Sequence, residues 1–135
     1  MNRRTLLVTL VAALLAAMLS APALAQSWPA PGKTIEMIVP APGGAGTGDT
    51  IARIVAEQLA LRLKTPVIVS NKGGANGNIG AAAAATSPAD GYHLLFSWAG
   101  TLAVNPALYK KLSFDPRRDF EPISLVADVP NIIVV

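Results

Sequence analysis

The sequence predicts an α/β fold with a mostly parallel sheet, and three observations predict it. Short apolar runs alternate with helical patterns from Lys33 onward, the rhythm of parallel strands joined by right-handed crossovers. The first two apolar runs each spill into a glycine-rich loop before a helix begins. Prolines and an Asp-Gly turn punctuate the segments where strands and helices should stop.

Taken in order, "TIEMIVP" reads as the first strand and runs into a loop with four glycines, at positions 43, 44, 46 and 48. Asp49 then reads as a helix N-cap. Ile51, Ile54, Val55 and Leu59 follow at helical spacing and predict the buried face. Arg62 and Lys64 suit the negative end of that helix, and Pro66 stops it. "PVIVSN" is the second strand, "NKGGANGN" the second glycine loop, and "IGAAAAATS" a thin alanine helix able to lie close to a sheet. "YHLLFSW" reads as the third strand, and Asn105-Pro106 as a cap and first-turn proline opening a short helix. "FDPRRDFEP" is a charged connector, with "ISLVADVP" and "NIIVV" as two further strands.

Residues 1–25 stand apart. Arg3 and Arg4, the apolar run 6–19 and the triplet Ala23-Leu24-Ala25 have the three regions of an export signal. The run is shorter than the about 20 residues needed to cross a bilayer. The expectation is therefore a signal peptide over 1–25, a mature start at Gln26 and a periplasmic destination. Removing Arg3 and Arg4 lowers the formal charge from +3 to +1, which gives no electrostatic case for nucleic acid. The chain has no cysteine and one histidine, so neither a disulfide framework, a metal centre nor a cofactor is expected.

A glycine-rich turn between strand and helix gathers backbone N–H groups and the positive helix end at one point, which favours an anion. "GGAGTGD" lacks the dinucleotide spacing, because Asp49 stands where the third glycine belongs, and its carboxylate would repel a pyrophosphate. "GKT" at 32–34 precedes its strand rather than following it, unlike a P-loop. What remains is a loop of amides plus the Thr47 hydroxyl, with no Lys or Arg in it, at the carboxyl end of a strand where open α/β sheets bind ligands. A carboxylate suits it better than a polyphosphate. "SWAGT" offers a second donor-rich loop at the same sheet end, with Ser97, Trp98, Gly100 and Thr101. The glycines serve equally well as a tight turn with no ligand, since a fold does not imply a site.

No catalytic residue is expected. There is no G-x-S-x-G elbow. His93 sits in an apolar strand without an adjacent Ser, Cys or paired carboxylate, and reads as a packed or edge histidine. Asp115, Asp119 and Glu121 flank Arg117 and Arg118 as a self-compensating turn, and Trp28 reads as a lid on the core.

From Trp28 to Val135 the chain resembles the Bug-type extracytoplasmic solute receptors of tripartite tricarboxylate transport systems. The carriers are "IVPAPGG", "DTIARIVAEQL", and "GNIG", "DGY", "NPALY", "FDP" and "SLV" in that order. The resemblance implies a type-II periplasmic-binding-protein fold of two α/β lobes with a small carboxylate-bearing solute between them. It further implies handover to the membrane components of a transporter by a monomeric receptor without chemistry of its own. Carried over by position, the first loop supplies Gly43, Gly44 and Asp49, with Thr47 between them, and the third loop Ser97 and Thr101; Pro42, Gly100 and Trp98, the last as a ring able to stack on a ligand, complete the expected site.

Two departures bear on the site. Ala41 stands where relatives usually have an aromatic residue, and "AGTG" separates Gly44 from Asp49, which predicts a longer and looser loop. Residues 26–135 are read as most of the first lobe, entering the second near 128–135, with that lobe largely missing. By themselves they are then expected to bind weakly or not at all. The alternatives are an exported α/β enzyme whose catalytic residues lie in a missing C-terminal part, or the ligand-binding module of a sensor.

Overall fold

The computed structural model describes residues 27–44 and 46–128. The expected signal at 1–25 and the expected strand at 131–135 lie outside the described residues. The chain divides into two compact units, Met1–Ala30 and Pro31–Val135. In the first, Trp28 is 52% exposed rather than a lid on a core.

The second unit begins with strand β1, Ile35–Val39, then helix α1, Gly46–Leu63, and strand β2, Val67–Asn71. A short 3-10 turn, Ala75–Gly77, leads into helix α2, Asn78–Ala85. Strand β3, His93–Leu95, follows, and then a π-helical turn, Gly100–Val104, continues into the four-residue helix α3, Asn105–Leu108. The sheet order is β2-β1-β3 and both pairings are parallel, with Met37 opposite Val69 on one side and Leu94 on the other. The alternation of strands, glycine loops and helices therefore folds as the sequence predicts.

Strand β1 occupies the centre, and Ile35, Ile38 and Val39 are fully buried. Successive residues of a strand point to opposite faces, so both faces of β1 are covered. On one face Met37 and Val39 pack with Ala52 and Ala56 of α1, flanked by Val55, Leu59, Val67, Val69 and Leu94. Helix α2 contacts β1 and β3. Its thinness is what permits the approach: a Cβ on Gly80 would lie 2.7 Å from Pro40 Cα.

Three expectations change. The buried stripe of α1 is Asp49, Ala52 and Ala56, while Ile54 is 56% exposed. Val55 and Leu59 of the expected face still pack against the core, so that face is centred on small residues and not on Ile54. Asn105 caps nothing: its backbone is already helical, continuing the π-turn into α3. Residues 123–128 form no strand, and Ile123 and Leu125 are exposed. No edge among the described residues pairs with that segment, and a strand without a partner leaves its backbone unpaired.

Candidate functional site

Because all three strands run the same way, the loops after β1, β2 and β3 lie at one edge of the sheet, the carboxyl edge. The first loop carries Pro42, Gly43 and Gly44, all exposed, and Thr47 is exposed in the first turn of α1. The "AGTG" segment does not loosen this loop, because α1 starts at Gly46 and absorbs residues 46–48 as its opening turn.

Asp49 follows one residue later and is not the cap. It is 2% exposed, and both of its carboxylate oxygens are engaged. Oδ2 accepts the Gly44 N–H at 2.9 Å and Arg53 Nε–H at 2.9 Å, while Oδ1 accepts Asn71 Nδ2–H at 2.7 Å. Arg53 Nη2 in turn donates to Asn71 Oδ1 at 3.0 Å. The bonds from Arg53, Asn71 and Gly44 hold the Asp49 carboxyl at about 2, well below its ordinary 3.8. Asp49 is thus an internal fastener of the loop, with no oxygen left over for a ligand. A cation does reach the loop, from one turn along α1, yet Arg53 is spent on neutralising Asp49.

At the third loop, the Trp98 ring lies over the start of α1. A Cβ on Gly48 would sit 3.1 Å from Trp98 Cζ3, so glycine there leaves room for the ring. Trp98 keeps 36% of its surface exposed, and Gly100 opens the π-turn half-buried. Ser97 Oγ is buried with no hydrogen-bond partner among the described residues. Thr101 departs from expectation: it is fully buried. Its N–H donates to Trp98 O at 3.1 Å and its hydroxyl to Asn76 O at 3.3 Å. Its donors are consumed inside the fold and none faces the sheet edge.

The second glycine loop holds a network that sequence reasoning missed. Fully buried Asn105 donates to Asn76 O at 2.9 Å and to Asn78 Oδ1 at 2.6 Å, and its Oδ1 accepts Asn76 Nδ2–H at 2.7 Å. Asn76 adopts a left-handed backbone, φ 54° and ψ 39°, which asparagine tolerates better than most residues. The only signal was the presence of these asparagines in "GANGNIG" and "NPALY". Their meaning as mutual partners needs the fold.

Elsewhere, His93 has carboxylate neighbours after all. Nδ1 stands 3.2 Å from Asp90 Oδ1 and Nε2 3.9 Å from Glu36 Oε2, while the other Glu36 oxygen, Oε1, faces Lys72 Nζ at 3.2 Å. Glu36 and His93 are opposite one another on β1 and β3, a pairing invisible before the register is known. The charged connector compensates itself as expected, with Arg118 Nε 2.9 Å from Asp119 Oδ1. An open groove of about 760 Å³ runs between the connector and α3, lined by Pro106, Tyr109, Phe114 and Arg117 among others. It shares no residue with the three loops. Among the described residues no group of three or more His, Asp or Glu could hold a metal, and no helix is long and apolar enough to cross a membrane.

With this geometry in place, known proteins become informative. The profile of a family described as the tripartite tricarboxylate transporter family receptor matches residues 51–135, more than half of the chain. The chain belongs to this family. Among receptors of the family, Protein BugT of Bordetella pertussis is 41% identical over 135 residues, covering 99% of this chain and 40% of BugT. Two solved structures are similar. The periplasmic binding protein BugD superposes with a TM-score of 0.65 at 41% identity, covering 69% of this chain and 30% of BugD. MatC of Rhodopseudomonas palustris, with bound malate, gives 0.67 at 34% identity, covering 71% and 32%. The fold is that of these periplasmic binding proteins, whose family is one of solute-binding receptors. The chain spans less than half the length of the relatives it matches.

Proposed function

We propose that this protein is an exported, periplasmic receptor that captures a small carboxylate-bearing organic acid and presents it to the membrane components of a tripartite transporter. The observation that carries the reading is the exposed loop at the carboxyl edge of the parallel sheet, residues 42–44, in a chain of this family similar to a malate-bound receptor. The Gly44 N–H is already given to Asp49, so the donors in this reading are the Gly43 amide and the first-turn amides of α1, which a helix start leaves without intrahelical partners and which favour an anion. Their charge-compensated surroundings favour a carboxylate over a polyphosphate, which needs cationic side chains.

In this proposal Pro42, Gly43, Gly44 and Thr47 shape one side of the site, and Ser97, Trp98 and Gly100 the other. Asp49 and Thr101 support the loops from beneath and do not touch the ligand. Closure of a second lobe over the acid supplies the opposite wall. No step of bond making belongs to the function. Calorimetric titration of the full-length protein with malate, succinate and citrate, beside the uncharged diamide of malate, tests the reading. The expected result is saturable binding of at least one acid, none of the diamide, and recovery of the acid chemically unchanged. Conversion of the acid to a product, or equal binding of acid and diamide, would refute it.

A further inference from the structure

We infer that Arg53, backed by Asn71, is a positioning residue for the acid-binding loop and acts through the direction of its hydrogen bonds rather than through its charge. The inference rests on the acid-receptor reading for its consequence in binding. Its structural basis is independent of that reading.

Asp49, Arg53 and Asn71 form a closed ring of three side chains: Arg53 Nε to Asp49, Asn71 Nδ2 to Asp49, and Arg53 Nη2 to Asn71. Its members tie two parts of the framework together. Asp49 and Arg53 are one turn apart on α1, and Asn71 ends β2, 22 residues beyond Asp49. Among the described residues the ring reaches the loop through the bond from the Gly44 N–H to Asp49 Oδ2. That amide is therefore as fixed as the carboxylate, and the carboxylate is as fixed as its donors.

Arg53 contributes two separately aimed donors. One satisfies Asp49, and the other holds the Asn71 amide with its oxygen toward Arg53 and its nitrogen toward Asp49. Without the second, the Asn71 amide is oriented from its nitrogen end alone, by its bond to Asp49. A guanidinium can serve both partners because its N–H groups form a rigid planar fork, whereas an ammonium offers one compact centre. The formal charges of Arg53 and Asp49 cancel, so the ring can shape the loop without drawing the ligand to itself.

Arg53→Lys and Arg53→Ala separate direction from charge, and Arg62→Lys in the last turn of the same helix is the control. Amide hydrogen exchange at Gly44 is measured in the unliganded full-length protein, and malate titration is measured beside it. Both Arg53 variants are expected to speed Gly44 exchange about tenfold, the scale of a lost hydrogen bond to a charged group, and to weaken malate by a similar factor. Arg62→Lys should move neither. Unchanged Gly44 exchange in Arg53→Ala overturns the inference. So does wild-type exchange and affinity in Arg53→Lys, because charge alone would then suffice. If the wild type binds no malate, the choice of acid fails, and the exchange data alone decide the role of Arg53.

Discussion

The two glycine loops look like copies in sequence, each following an apolar strand and preceding a helix, yet they are secured in opposite ways. The first is exposed at residues 42–44 and held at the Gly44 amide by a ring of charged and polar side chains at the sheet edge. The second is pinned by uncharged amides around Asn105, which is wholly buried, and its left-handed turn at Asn76 is part of that lock. The difference teaches that glycine content alone does not mark a ligand site. Both loops present exposed residues, 42–44 in the first and 74–76 in the second, so what separates them is the kind of side chain that fastens them.

The sharpest way to break this comparison is at the buried lock. Asn105→Leu leaves the Asn76 side-chain amide and the Asn78 oxygen without their partner and the Asn76 carbonyl with the Thr101 hydroxyl alone, and should cost roughly 3 kcal/mol of stability. Urea unfolding measures it. Gly44 exchange should stay near wild type below the unfolding transition, since the first loop is fastened elsewhere. A loss under about 0.5 kcal/mol, the range of an ordinary surface change, would mean the second loop is not locked as described.

Acid should unfasten the first loop and spare the second, whose network has no titrating group. The Asp49 carboxyl lies at about 2 in the folded protein against an ordinary 3.8. Its folded value is depressed, so its contribution is complete above pH 3.8 and is lost as the pH falls from there through about 2. Glu36, Asp90 and Asp119 are also lowered, so the contribution of Asp49 must be isolated by difference. The melting temperature of the wild type should exceed that of Asp49→Asn at neutral pH, and the gap should close toward pH 2. A gap independent of pH over that window would contradict the assignment.

Smaller effects test the meeting of the first and third loops and the outer sheet. Gly48→Val forces a side chain against the Trp98 ring and should cost about 1–3 kcal/mol, the range for overpacking. Trp98→Ala in the same chain should restore part of that loss. A cycle without coupling would mean the ring does not rest on Gly48. The least change is expected for Lys72→Ala, which removes a half-exposed partner of Glu36 and should alter stability by less than about 1 kcal/mol.

Much of the fold was legible because local chemistry specifies it. The apolar runs, the alanine helix and the order of strands and glycine loops follow from periodicity and punctuation, and the short motifs pointed to the receptor family. The site was legible only as a place. Asp49 in a first turn reads as a cap until Asn71 is brought beside it, and Thr101 reads as a loop hydroxyl until it is found beneath Asn76. Asn105 before a proline also reads as a cap, although its partners lie 27 and 29 residues earlier.

The residue order by itself determined that the first three strands would run parallel with helices between them, and that a glycine-rich loop would emerge at the carboxyl edge of the first strand. Only the tertiary structure decided which polar side chains serve the ligand edge and which serve the interior. The reason is physical: a strand or helix is set by neighbours a few positions away. The partner of a buried carboxylate or amide is set by the order β2-β1-β3, which brings together groups remote along the chain.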